Sequence, residues 1–256
     1  MNADATLLPA ARIDDFHRDG YLVLPGFAAP EAREAMLAVT RDHLGRALPP
    51  VEYEAELGYP GAPASLDAPG GRTVRRLRAA WQRDEAFRSW AADPALLARL
   101  RQLMGDRICL TLAHHNCVMT KHPGYGTATG WHRDIRYWSF MRNDLVSVWL
   151  ALGSEREENG ALKVIPGSHR LDVQAHRMDA LDFLRPDLEE NRALFAQGRV
   201  VELDPGDVLL FHSGLFHAAG RNDSDAVKYS AVFAYRAADN LPLPGSRSAA
   251  AGDVAL

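Results

Sequence analysis

From Ile108 onward the apolar residues recur with a period of two, in short runs separated by turn residues, and few folds other than an antiparallel β domain satisfy that pattern. The strand candidates are Ile108 to Met119, Leu145 to Leu152, Leu162 to Ile165, Val200 to Leu203, Val208 to Phe211 and Tyr229 to Tyr235. Asn159-Gly160 carries a type I′ hairpin signal, and Asp204-Pro205-Gly206-Asp207 places proline and glycine where a type II turn needs them. A helical insertion, about Val173 to Gln197, interrupts the strands.

The N-terminal region has a different rhythm. Ile13, Phe16 and His17 follow helical spacing into a stop at Asp19-Gly20, and Tyr21 to Leu24 then forms a short strand ended by Pro25-Gly26. Ala32, Ala35, Met36 and Val39 share one face of a helix running from Pro30 to about Arg46. Residues 47–72 hold five prolines and form a long loop of the kind that carries function. Two more helical stretches follow, around Arg75 to Arg83 and Pro94 to Leu103. The organisation is one domain over residues 1–240, followed by a loose tail, residues 241–256, rich in Pro, Gly, Ala and Ser. Within the domain, residues 1–107 are mainly helical and residues 108–236 form the β core, which contains the insertion 173–197.

With 256 residues the chain can bury one sizeable core. A net charge of -4 lacks the basic excess of a nucleic-acid protein, so no nucleic-acid partner is expected. No apolar run approaches the roughly 20 residues that span a bilayer, and the first residues have no basic n-region before an apolar one. A cytoplasmic protein without a membrane partner is expected. Cys109 and Cys117 are too few for a disulfide framework, and as buried thiols they fit a reducing compartment that would also keep iron ferrous.

Trp131-His132-Arg133-Asp134 offers a His and an Asp two apart, which an extended backbone points to one side, where both can reach one metal ion. Alone this means little, because His-Arg-Asp also occurs at His17 to Asp19, where it ends an amphipathic helix. The tripeptide is also that of the protein-kinase catalytic loop, but Ser139 stands where that motif needs Asn and no glycine-rich phosphate loop precedes it. Downstream, an apolar strand leads to His212 and then to Leu215-Phe216-His217-Ala218-Ala219-Gly220. A second His completes two imidazoles and one carboxylate, the facial set that leaves sites open on non-haem iron. His217 is preferred for that role over His212, whose place at the strand end suits an ordinary core histidine. His114, His115 and His122 beside Cys117 fit no common structural zinc spacing.

Taken in order, Phe16 to Phe27, Trp131-His132-Arg133-Asp134, Trp149, Glu158-Asn159-Gly160-Ala161-Leu162, Pro166-Gly167-Ser168-His169 and Pro205-Gly206-Asp207 ahead of His217 resemble the phytanoyl-CoA dioxygenase family of Fe(II)/2-oxoglutarate oxygenases. The resemblance covers about residues 13–236 and implies a mainly β fold with flanking helices, a double-stranded β-helix of the jelly-roll, cupin-like kind with the metal in its mouth. It implies Fe(II), 2-oxoglutarate and O2 as cofactor and cosubstrates, His132, Asp134 and His217 as the metal ligands, and oxidation of a small-molecule substrate with release of succinate and CO2. Asp134 argues for hydroxylation, since related halogenating enzymes carry a small residue there.

The family places an Arg eleven residues after the second ligand His to hold the distal carboxylate of 2-oxoglutarate; here that position is Lys228, a point charge in place of a planar fork. Ser230, on the same strand face, could supply a helping hydroxyl. The family's small hydroxyl residue two positions after that His is replaced by Ala219. Arg236 is the alternative cation, and Trp149, Lys121 and Thr120 are further candidates for the cosubstrate pocket. On the substrate side, Tyr125, Arg136, Tyr137 and Trp138 lie near the metal motif, and Arg76 and Arg78 belong to a basic cluster that could grip an anion or form a solvated helix face. Two competing functions remain from other classes: a cupin-like barrel that binds a metal or ligand without turnover, and a metal-dependent isomerase or dioxygenase that uses no 2-oxoglutarate.

Overall fold

Alternation along the segment Leu145–Ala151 shows how the core is layered. All seven residues are buried, yet Val146, Val148 and Leu150 pack with the helices in one apolar cluster, whereas Trp149 and Ala151 join a second cluster inside the barrel. A strand that is apolar on both faces belongs to a sheet covered on both sides.

The computed structural model describes residues 7–256. Its strands in chain order are β1 (Tyr21–Leu24), β2 (Val51–Tyr53), β3 (Val74–Arg78), β4 (Ile108–Lys121), β5 (Thr129–His132), β6 (Leu145–Ala151), β7 (Leu162–Val164), β8 (Arg199–Val200), β9 (Val208–His212), β10 (His217–Ala219), β11 (Lys228–Ala237) and β12 (Asp253–Ala255). Antiparallel pairing orders the larger sheet β1-β9-β6-β11-β4-β3-β2, with β12 added to β4, and the smaller sheet β5-β10-β7-β8. The two sheets form the double-stranded β-helix that the resemblance implied. Leu162, Val164, Leu209, Phe211, Leu215 and Val232 fill the space between them.

The helices cover the outer face of the larger sheet. Phe16, Met36, Phe87, Trp90, Leu96 and Leu100 pack there against Val118, Val148, Leu210 and Phe233, and each such side chain contributes about 1.5–3 kcal/mol by burial. The first helix, Ala10–Asp19, stops at Gly20, whose φ of +79° lets its amide reach the Phe16 carbonyl at 2.7 Å. Asp93 caps the helix Pro94–Met104 through the amides of Ala95 and Leu96.

One irregularity shapes the site. Along β11 the partners on β4 jump from Asn116 opposite Phe233 to Thr111 opposite Ala234, so residues 112–115 bulge out of the ladder. His114, at φ +60°, turns onto Tyr137, with ring centroids 3.6 Å apart, while its neighbour His115 points at the metal motif.

Several sequence expectations differ from the structure. Within residues 47–72, expected to be a loop, Val51–Tyr53 is a strand paired with β3 and Glu54–Glu56 a 3₁₀ turn, and the strand expected at Val200 to Leu203 is confined to Arg199–Val200. Val74–Arg78 is a strand, and only Ala80–Arg83 is helical, because the arginines that suggested a solvated helix face are mostly buried against carboxylates. The insertion 173–197 is largely a loop, with a short 3₁₀ turn at Ala175–Arg177 and a helix at Glu189–Phe195; Asn191 ties it together by bonds to Arg177 and Arg185. Glu157–Asn159 forms a 3₁₀ turn closed by Gly160 at φ +79°, in place of a two-residue hairpin. The tail is anchored: Arg247–Ala251 is a helix, Ser248 is buried, and β12 pairs with β4 while Asp253 holds Arg236 at 2.7 Å. Asp253→Ala leaves the Arg236 guanidinium buried without its carboxylate and is expected to lower stability by about 3 kcal/mol, read by urea denaturation.

Candidate metal centre and cosubstrate pocket

His132 ends β5 and His217 begins β10, and the pairing of these two strands sets the two residues directly opposite each other. Their rings lie 4.3 Å apart between centroids. Arg133 is extended, so Asp134, the first residue of the 3₁₀ turn Asp134–Tyr137, projects to the same side as His132. One ligand atom from each of the three residues lies within 4.8 Å of the other two, and among the described residues no other group of His, Cys, Asp or Glu is arranged this way.

Backbone carbonyls aim the imidazoles. His132 Nδ1 lies 2.8 Å from the Gly130 carbonyl and His217 Nδ1 lies 3.0 Å from that of Leu215. With Nδ1 donating, each Nε2 keeps its lone pair toward Asp134 Oδ1, at 3.7 Å for His132 and 3.4 Å for His217. The other carboxylate oxygen leans on His115 Nδ1 at 3.4 Å and Ser147 Oγ at 3.5 Å. Burial opposes ionisation of Asp134, but His115, His217 and His132 outweigh it and hold its carboxyl far below the usual range. Burial also drives His132 well below the ordinary imidazole value, whereas at His217 the Asp134 charge overcomes burial and raises it. An ionised carboxylate beside imidazoles whose Nε2 atoms converge is the donor set a divalent metal needs. His115→Leu removes the support of Asp134 and is expected to weaken Fe(II) binding about 10–100-fold in an anaerobic titration.

Beyond the triad, the cavity is lined by Trp149, Leu162, Thr120, Lys121, Lys228 and Arg75. Lys228 and Ser230 do lie together, but they already hold a carboxylate. Glu155, fully buried, accepts from Lys228 Nζ at 3.0 Å, from Ser230 Oγ at 2.5 Å and from Trp149 Nε1 at 2.8 Å. Lys228 Nζ also stands 5.0 Å from the centroid of Trp149. Thr120 Oγ1 donates to the Val74 carbonyl, and Lys121 Nζ donates to that of Gly220. Arg236 is bound to Asp253 at the far end of β11 and takes no part in the pocket.

The substrate-side candidates separate. Tyr137 lies at the cavity wall, with its hydroxyl 3.1 Å from that of Tyr59. Phe183 packs edge-on against Tyr59 at 5.0 Å and against His132 at 5.5 Å, and Arg136 stacks over Phe183 at 4.6 Å. The loop 47–72 and the insertion 173–197 therefore meet over the metal motif. Arg136 Nη1 is buried without a hydrogen-bond partner among the described residues. Arg76 is bonded through Nη1 to both oxygens of Glu52, and Arg78 is exposed on β3, so the basic cluster is not one surface. Trp138 is a core residue whose Nε1 donates to the Ala113 carbonyl. Tyr125 is half exposed and lies against Gly70, away from the triad. His212 turns to Asp144, at 3.4 Å, and stays outside the cluster. Sequence reasoning missed His115, Glu155, Tyr59 and Phe183; a bulge, an acidic residue in a polar loop and aromatics inside irregular segments leave no periodic signal.

A jelly-roll barrel with two imidazoles and one carboxylate at its mouth, and a cation-lined cavity beside them, belongs to the class of non-haem iron oxygenases that use a 2-oxo acid. The model of the family described as phytanoyl-CoA dioxygenase matches residues 16–230, and the chain belongs to that family. It is 27% identical over 250 residues to the ectoine dioxygenase of Halomonas elongata, covering 91% of this chain and 71% of the relative. It is 27% identical over 184 residues to human peroxisomal phytanoyl-CoA dioxygenase, covering 67% of this chain but only 52% of that protein. The crystal structure of EctD from S. alaskensis with 2-oxoglutarate and 5-hydroxyectoine superposes with a TM-score of 0.76 at 23% identity, over 95% of this chain and 80% of the other.

Proposed function

We propose that this chain is an Fe(II)/2-oxoglutarate-dependent dioxygenase that hydroxylates a small molecule. The observation that carries the reading is the convergence of His132, Asp134 and His217, with both Nε2 atoms facing one carboxylate oxygen. These three would hold the iron, which together with 2-oxoglutarate and O2 supplies the oxidation of a substrate C–H bond and the release of succinate and CO2.

The protein's own contribution is placement. Gly130 and Leu215 fix the imidazole tautomers, and His115 and Ser147 keep Asp134 from rotating away. Tyr59, Tyr137 and Phe183 form an aromatic wall over the open side, which excludes water and receives the apolar portion of a substrate. Arg136, whose Nη1 has no hydrogen-bond partner among the described residues, suits an anionic substituent on that substrate. The ectoine and phytanoyl-CoA relatives supply the first compounds to try. A cytoplasmic location fits the two free buried cysteines; no helix among the described residues is long and apolar enough to cross a membrane.

A second reading, a barrel that binds without turnover, is favoured by one observation, the carboxylate of Glu155 on Lys228. Aerobic incubation of the iron-loaded protein with 2-oxoglutarate and a panel of small acids, ectoine and acyl thioesters separates the two. Succinate matched by a product heavier by one oxygen is expected for at least one compound. No succinate under any condition would leave the binding reading standing.

A further inference from the structure

The cavity wall carries four buried cations, and three are neutralised: Arg75 by Glu54, Arg76 by Glu52 and Lys228 by Glu155. Lys121 is the fourth. It is 5% exposed, and no carboxylate pairs with it among the described residues. Its ammonium has three donors and, among the described residues, bonds the Gly220 carbonyl through one of them.

The surrounding backbone makes room for this side chain. A Cβ on Gly126 would stand 2.6 Å from Lys121 Cγ, and one on Gly160 would stand 2.6 Å from Lys121 Cδ, so the stem runs between two glycines. Lys121 and Lys228 are direct partners in the β4–β11 ladder, and both line the cavity. Glu155, meanwhile, already has a donor from each of Lys228, Ser230 and Trp149. The position at which Lys228 would meet a cosubstrate carboxylate is filled by the chain itself.

We infer that Lys121, and not Lys228, takes the distal carboxylate of the 2-oxo acid cosubstrate, with the Lys228–Glu155 pair serving as a neutral wall. The inference rests on the 2-oxoglutarate reading above. It explains why a buried amine with no carboxylate partner among the described residues is kept in the cavity wall, where its charged form costs stability unless an anion arrives. Burial, with Arg75 and Lys228 nearby, holds the Lys121 pKa well below that of an ordinary lysine despite Glu54 and Glu155. An arriving carboxylate favours the charged form and opposes that shift.

The test is anaerobic calorimetry of 2-oxoglutarate binding to the Fe(II)-loaded protein. Two variants are compared with the parent, together with the melting temperature of each metal-free form. Lys121→Met is expected to weaken binding about 10–100-fold and to melt no lower than the parent. The double variant Lys228→Met/Glu155→Gln, which removes the wall pair together, is expected to bind within about threefold of the parent. Parent-like affinity in Lys121→Met overturns the inference, and so does a large loss in the double variant. Should Lys121→Met fail to fold, the double variant decides alone, retention supporting the inference and loss overturning it. A parent that binds iron but no 2-oxoglutarate removes the functional reading itself, an outcome distinct from either variant's.

Discussion

Asp134→Ala is expected to abolish O2-dependent succinate formation and to lower Fe(II) affinity by more than the roughly 10–100-fold that loss of a hydrogen-bond partner behind a ligand costs. The expectation follows from position: Asp134 Oδ1 is the atom both Nε2 groups face, and it is the only carboxylate in the cluster. Two neutral imidazoles without it form a weak, uncharged site for a hard ferrous ion. The fold does not depend on this side chain, because His132 and His217 are held by carbonyls two residues before each of them and the barrel packs through other residues. Circular dichroism of the metal-free variant therefore matches the parent, while anaerobic iron titration and succinate assays show the loss. A variant that retained one tightly bound iron and parent turnover would mean that the metal sits elsewhere.

Glu54→Ala has the largest expected effect on stability. Glu54 is fully buried, lies 3.4 Å from Arg75 and accepts the Thr127 amide at 3.2 Å, while Arg75 also bonds the Thr127 carbonyl and the Thr129 hydroxyl. Truncation strands a guanidinium that is 3% exposed, and breaking a buried pair in this way costs about 3–5 kcal/mol. At roughly 2–4 °C per kcal/mol for a domain of this size, thermal melting shows the loss directly. Because Thr129 opens β5, which ends in His132, the same variant is also expected to loosen the metal site. Replacing both partners, Glu54→Met with Arg75→Met, is expected to recover most of the stability, since no charge is then left buried alone. Equal destabilisation by the single and double variants would show that the pair acts through packing and not through charge.

What could be read in one dimension depends on what each element needs. β4, β6, β9 and β11 were legible because each alternates or is wholly apolar over four or more residues. The triad was legible through spacing plus resemblance, although Asp134 opens a 3₁₀ turn and does not extend a strand. β3 reads as helix because its arginines look solvated in sequence, yet they are neutralised by Glu52 and Glu54 from a segment more than twenty residues earlier. The tail looks loose because its composition is small and polar, while Asp253 and Ser248 anchor it through partners far away in the chain. Glu155 could not be foreseen. One of three glutamates in a short polar loop, it gives no sign that it, and not Glu157 or Glu158, will reach into the barrel and take Lys228.

Anaerobic addition of one equivalent of Fe(II), followed by 2-oxoglutarate, with the visible spectrum recorded at each step, puts the central assignment to the most direct test. A metal-to-ligand charge-transfer band that saturates at one iron per chain, and that is missing in Asp134→Ala and His217→Ala, is the expected result. A chain that takes up iron with no such band, or a band that survives loss of either side chain, would contradict the account.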